Sequence, residues 1–237
     1  MATSPVTRAS LVARVAQRAN TSGYADPSVN GEISQLVDSS LAKLHNMLIG
    51  LYEDYFTKTD TITLANAQDT YNLPGDFYKM RTMFYVDQSG YRWPMRRLEI
   101  QDLTNVPLTI TYYAVPYGYV VMNNSITVFP KPINLSTPYN LLMYYIPQYT
   151  PPANDATPID YQFVFGWDEW VVNDVVVQIR NKAMMPTDEV VRERDALEVK
   201  LRHQAYNRDA GEPHRFRDNG WGGNQPFTRY GNFALKG

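Results

Sequence analysis

The sequence has no cysteine, which excludes disulfide frameworks, thiolate nucleophiles and cysteine-bearing zinc sites. Histidine is almost as scarce, with only His45, His203 and His214. No carboxylate or second histidine stands three or four residues from His45, so it reads as an ordinary helix-face side chain. His203 and His214 are separated by a helix-stopping segment, which argues against a preformed metal site. The chain contains no GxxxxGK[ST] phosphate loop, no G-x-S-x-G elbow and no H-E-x-x-H pair. Two acidic doublets, Glu53–Asp54 and Asp168–Glu169, are adjacent in sequence. On a helix, adjacency is expected to send carboxylates to different faces, not to a shared site. No catalytic residue, cofactor or metal is therefore expected, and the chain does not read as an enzyme.

Long apolar runs are also missing. Nothing approaches the roughly 18 residues of a membrane span, and "MATSPVTRASLVARV" lacks the apolar core of a secretory signal. The expectation is a soluble protein made in a cytosol, without a membrane partner. Neither sign of charge dominates, and a formal net charge of −2 argues against a generally basic nucleic-acid binder.

What is plentiful is tyrosine and proline, 18 and 16 residues, concentrated between residues 71 and 161. Aromatic and β-branched runs punctuated by proline predict short strands. "TITL", "YNL", "KMRTMFYV", "YRWPM", "LTITYYAV", "YVVM", "SITVF" and "YNLLMYYI" are those runs, with hairpin turns expected at Asp87–Gly90 and Asn123–Asn124. The tyrosines read as cross-strand packing partners more readily than as a sugar-binding face.

Helices are predicted on either side. Thr7 caps a first helix, with Leu11, Val12, Val15 and Ala19 at helical spacing, ended by Gly23 and Pro27. Asn30 opens a longer one whose stripe runs from Ile33 through Leu41 and Leu48 to Tyr55, reaching about Phe56. Trp167, Trp170, Val171, Asp174 and Gln178 repeat with a helical step, and the two indoles are expected to pack where that helix meets the strands. Thr187 caps a last helix with a thin seam of Val190, Leu197 and Leu201. The fold class is α+β: a helical bundle from both ends of the chain, with an inserted antiparallel sandwich or barrel. The expected division is 1–57, 58–160, 161–208 and an extended arm, 209–237.

That arm, "HRFRDNGWGGNQPFTRYGNFALKG" from residue 214, is unusual in composition. Solvated segments are ordinarily poor in aromatics, yet Phe216, Trp221, Phe227, Tyr230 and Phe233 stand among Arg215, Arg217 and Arg229. Rings that fill pockets beside guanidinium groups that pair with acids or phosphates make a partner-binding segment. From Arg202 onward the basic residues Arg202, Arg208, Arg215, Arg217, Arg229 and Lys236 outnumber Asp209, Glu212 and Asp218.

Four segments taken together, "TRASLVARVAQRAN", "TYNLPGDFYKM", "GWDEWVVNDVVVQIRNKA" and "LRHQAYNRDAGEPHRF", resemble the head-to-tail adaptor (connector) proteins of tailed bacteriophages. The resemblance runs in order along nearly the whole chain. It implies a virion structural protein of the neck, made in the host cytoplasm and assembled as a ring, commonly dodecameric, beneath the portal ring. The implied partners are the portal protein, a tail or nozzle protein and further copies of the chain, with contact to DNA in the lumen left open. It also implies that the arm docks on the portal, carrying Arg215, Phe216, Arg217, Trp221, Phe227, Arg229, Tyr230 and Phe233 as anchors. The rival reading is a tail- or fibre-associated β protein that binds glycans through its tyrosines.

Overall fold

The computed structural model describes residues 5–19, 27–101, 115–133 and 139–207. In chain order these form α1 (Arg8–Arg18), α2 (Pro27–Leu51), β1 (Lys58–Thr63), β2 (Thr70–Asn72), β3 (Phe77–Val86), β4 (Arg92–Pro94), β5 (Arg96–Arg97), β6 (Gly118–Met122), β7 (Ser125–Phe129), β8 (Asn140–Pro147), α3 (Trp167–Lys182) and α4 (Asp188–Asn207). The architecture is α+β, with four helices and two sheets among the described residues.

Helix α1 starts where Thr7 and Ser10 satisfy each other. The Ser10 amide donates to the Thr7 hydroxyl at 3.2 Å, and the Thr7 amide donates to the Ser10 hydroxyl at 3.0 Å. This reciprocal cap uses two otherwise orphaned donors. Helix α2 is 25 residues long, about 38 Å at 1.5 Å per residue. Its Ile33, Val37, Leu41, Leu44 and Leu48 recur on one face and are buried. Helix α3 carries Val171, Val172, Val175, Val176 and Val177, all buried. β-Branched runs favour strands. Here the segment is helical because it is packed nearly all round, with Asp168 and Glu169 at the positive end of the helix dipole and Arg180 and Lys182 at the other. These helices share one core with Tyr161, Phe163 and Val164 from the segment preceding α3 and with Val190, Leu201 and Ala205 of α4.

The strands form two four-stranded sheets, ordered β1-β8-β3-β4 and β2-β7-β6-β5. Side chains from both meet in a second core. Met83 and Tyr85 of β3 and Leu141, Met143 and Tyr145 of β8 join Tyr71, Tyr119, Ile126 and Val128 of the other sheet. The β6–β7 hairpin turns on Asn123–Asn124, with Met122 opposite Ser125. Asn123 takes a φ of +55°, which asparagine tolerates better than most residues. Asp87–Gly90 makes the β3–β4 turn, where the Gly90 amide donates to the Asp87 carbonyl and φ is +81°.

Four expectations need correction. Pro27 begins α2 instead of ending α1, because a residue without an N–H and with a fixed φ suits the first helical position. Helix α2 stops at Leu51, short of Phe56. The chain tightens into a 3₁₀ turn at Asp54–Phe56, where the Tyr55 ring packs tilted against Phe163 with centroids 3.9 Å apart and Phe56 meets His45 edge-on at 4.7 Å. Tertiary packing of these rings overrides the helical continuation. The pairing is not wholly antiparallel either: β5 runs parallel to β6, which the long connection after Arg97 permits. Trp167 and Trp170 lie in the helical core and not in the core shared by the sheets. Trp167 instead meets Tyr161 edge-on at 5.1 Å. Of the expected strands, "LTITYYAV" falls outside the described residues except at its last position.

Candidate functional site

The expected anchors Arg215, Phe216, Arg217, Trp221, Phe227, Arg229, Tyr230 and Phe233 lie outside the described residues. The described chain closes on α4, whose inner face buries Leu201 and Ala205 while Tyr206 is 74% exposed. An aromatic ring thus stands in solvent one residue before α4 ends.

The other sequence candidates are in view, and their geometry is that of joints. At one joint, His45 of α2 is buried between the helices and the end of β8. A carbonyl can only accept, so Nε2–H donates to the Pro147 oxygen at 3.2 Å, and the Tyr161 hydroxyl then donates to Nδ1 at 3.3 Å. Burial holds His45 below the usual histidine range, and Lys58 adds to that. Burial likewise raises the Tyr161 phenol. The ring is neutral and satisfied on both nitrogens. A cleft of about 480 Å³ opens beside it, walled by Tyr55, Phe56, Tyr149 and Lys58.

The two acidic doublets do what adjacency was not expected to allow. One arginine reaches both members of each. Arg81 of β3 donates through Nη1 to Glu53 and through Nη2 to Asp54 at 2.7 Å, while Lys79 donates to Glu53. Arg14 of α1 donates through Nη1 to Asp168 at 2.7 Å and through Nη2 to Glu169. Arg18 then links Glu169 to Glu193 of α4. The guanidinium fork is wide enough to span neighbouring carboxylates at a helix end. Lysine has no such reach, and the sequence signal was the pair of arginines four apart on α1.

Below them, Asp174 is a buried carboxylate of α3. It accepts hydrogen bonds from the Ser40 hydroxyl, from Lys43 at 3.1 Å and from Gln178 at 2.9 Å, with Arg194 at 3.5 Å. Helices α2, α3 and α4 therefore converge on one charge. At the sheet end, Asp76 accepts from Lys58 at 3.0 Å and from the Tyr145 hydroxyl at 2.8 Å. Burial pushes Asp76 up, but these two hydrogen bonds, the Lys58 charge and a backbone hydrogen bond together outweigh it and hold its carboxyl below the usual range. Burial and the Asp76 carboxylate push the Tyr145 phenol up to about 12.

Every one of these charges is spent on fastening elements together. Among the described residues no group of three or more His, Asp or Glu side chains is arranged to hold a metal ion, and no described helix is long and apolar enough to cross a membrane. The tyrosines divide. Tyr71, Tyr85, Tyr119 and Tyr145 are buried, whereas Tyr78, Tyr91 and Tyr117 are exposed.

No curated protein matches the chain. A family model described as SU10 adaptor protein matches residues 6–222, which takes in all four helices and both sheets. The chain belongs to the SU10 adaptor protein family, bacteriophage structural adaptors of the virion neck and not a known class of enzyme.

Proposed function

We propose that this adaptor assembles as a ring, dodecameric as the resemblance implies, that docks on the portal ring and presents a platform to a tail or nozzle protein. The match over residues 6–222 carries the reading. It extends through the helices and sheets into the arm as far as Gly222. Residues 209–237 act as the docking arm, with Arg215, Phe216, Arg217 and Trp221 inside the matched span and Phe227, Arg229, Tyr230 and Phe233 beyond it.

The packing supports a division of labour. The helices of 1–57 and 161–208 form a bundle that builds the ring wall, and the inserted 58–160 region, read as a two-sheet sandwich, faces the tail or a neighbouring subunit. Helix α4 supports this, since it buries a narrow stripe and leaves Val199 and Tyr206 exposed, a face that an adjacent copy can complete. A ring of arms binds by avidity, so each can be weak alone. The role is non-catalytic. The modest acidity of the chain supports no tight grip on DNA passing through the lumen.

Electron microscopy of portal rings mixed with the purified chain tests the reading. An added annular layer beneath the portal supports it, and bare portal rings at saturating concentrations overturn it. The glycan-binding alternative gains from the exposed Tyr78, Tyr91 and Tyr117 but predicts no such layer.

A further inference from the structure

We propose that the groove between α3 and α4 receives the Tyr206 side chain of an adjacent copy of this chain, which lays its ring over the groove and donates its phenolic proton to Asn173. The inference rests on the ring reading and deepens it, since it names the contact that joins one copy to the next.

The groove encloses about 290 Å³ and is walled by Arg18, Glu169, Asn173, Glu193, Leu197 and Lys200. Asn173 is only 1% exposed, yet its side-chain oxygen Oδ1 has no hydrogen-bond partner among the described residues. A buried acceptor without a donor is costly, and such groups are ordinarily satisfied. Glu169 and Asn173 stand one turn apart on α3, and Glu193, Leu197 and Lys200 follow at i, i+4 and i+7 on α4. One face of each helix therefore builds the site.

The walls decide what kind of donor fits. Arg18 holds both glutamates, pairing with Glu169 at 3.1 Å and also with Glu193, and Lys200 adds a second positive charge. A cationic donor would face those charges and find both carboxylates engaged, while an anion would meet the glutamates. What fits is a neutral donor on an apolar body that covers Leu197 and Ala196, which also lines the groove. A tyrosine has that form.

Tyr206 supplies it from the same helix. It is 74% exposed, a large ring left wet. It lies ten residues beyond Ala196 on α4, about 15 Å at 1.5 Å per residue, further than a tyrosine side chain reaches. The donor therefore comes from a second copy. Rotation about one axis relates the copies of a ring, so helices meet helices. The exposed Tyr78, Tyr91 and Tyr117 belong to the sheet region instead. A reciprocal two-fold pairing at this register would run two α4 helices antiparallel and set Lys200 of each copy against Arg202 of the other, two like charges. Contact in one direction, Tyr206 of each copy into the groove of the next, avoids this and propagates around a ring.

The chain has no cysteine, so introduced thiols report the contact alone. Full-length Ala196→Cys and Asn207→Cys variants, changed at the groove and beside Tyr206, are mixed in equal amounts with portal rings, and a short bismaleimide is added. Expected is a cross-linked pair that neither variant gives alone, and from the Ala196→Cys/Asn207→Cys double variant a ladder longer than two chains. Tyr206→Phe, which keeps the ring and removes the donor, should raise the chain concentration that covers half the portal rings about fivefold. Tyr206→Ala should raise it by about tenfold or more, and both should keep the wild-type circular dichroism. Should a cysteine variant leave the portal bare, the two Tyr206 variants decide instead. Annular layers that form without the cross-linked pair overturn the contact and leave the ring standing. Cross-linking of the double variant that stops at two chains overturns it in favour of a two-fold dimer. Unchanged coverage by Tyr206→Phe overturns the hydrogen bond to Asn173. Portal rings left bare by the wild-type chain overturn the ring reading, and this contact with it.

Discussion

His45 of α2 donates to the backbone carbonyl of Pro147, the last residue of β8, across 3.2 Å. The same ring accepts from Tyr161 and packs edge-on against Phe56, so one side chain ties the helical core to the end of a sheet strand. Burial makes that tie sensitive to protons. The folded-state pKa of His45 is lowered, and the unfolded value is about 6.5. Below about pH 6.5 the unfolded chain takes up a proton that the folded ring resists, so the stability contributed by neutral His45 is whole above that pH and is lost as pH falls toward the folded value. Thermal unfolding should therefore show a midpoint that drops between pH 7.5 and 5.5. His45→Phe, which keeps ring volume without titrating, should flatten that part of the profile. An unchanged profile in the variant refutes the assignment.

Arg14→Ala should cost about 1 kcal/mol, the scale of a partly exposed charge pair, because Asp168 and Glu169 lose a shared partner. Arg14→Lys should recover only part of the loss, since an ammonium cannot fork across two carboxylates. Urea unfolding at low and high salt checks this, and the wild-type advantage should shrink as salt screens the pair.

Asp174 is only 5% exposed and collects donors from three helices. Asp174→Ala strands the Ser40 hydroxyl and the two cations near it, and should cost about 3 kcal/mol. Ser40→Ala should cost about 1 kcal/mol. Chemical denaturation of the two single variants and the double reports the coupling, and simple additivity would contradict a shared network.

Gly118 opens β6 with Leu98 against it. A Cβ at this position would lie 2.7 Å from the Leu98 Cδ1 and 3.3 Å from the Arg96 carbonyl oxygen. Gly118→Ala should destabilise by about 1–2 kcal/mol through overpacking. Adding Leu98→Ala should remove the steric part of that cost while introducing its own cavity penalty, giving a sub-additive pair in thermal melts. Strict additivity would show that Leu98 is not the obstacle.

Periodicity and caps were legible in the sequence because they are local. The Thr7 cap, the apolar face of α2 and the turn at Asn123–Asn124 depend on residues within a few positions of one another. The errors came where distant residues decide. Tyr55 and Phe56 continue the helical stripe of α2, but their rings are claimed by Phe163 and His45. The doublets Glu53–Asp54 and Asp168–Glu169 look divergent until Arg81 and Arg14 arrive from other elements. The parallel β5–β6 pair leaves no local signature, since it depends on a crossover. Of the expected site, composition alone singled out the aromatic and arginine-rich arm.

The central claim is that 209–237 fastens this adaptor to a portal ring, and native mass of the assembled species tests it most directly. Purified full-length chain and a version ending at residue 208 are each mixed with the portal ring of the same virus. The account predicts a stoichiometric ring of full-length chain on the portal and free portal with the shortened chain. Equal binding of both versions would contradict the docking arm, and binding of neither would contradict the portal adaptor itself.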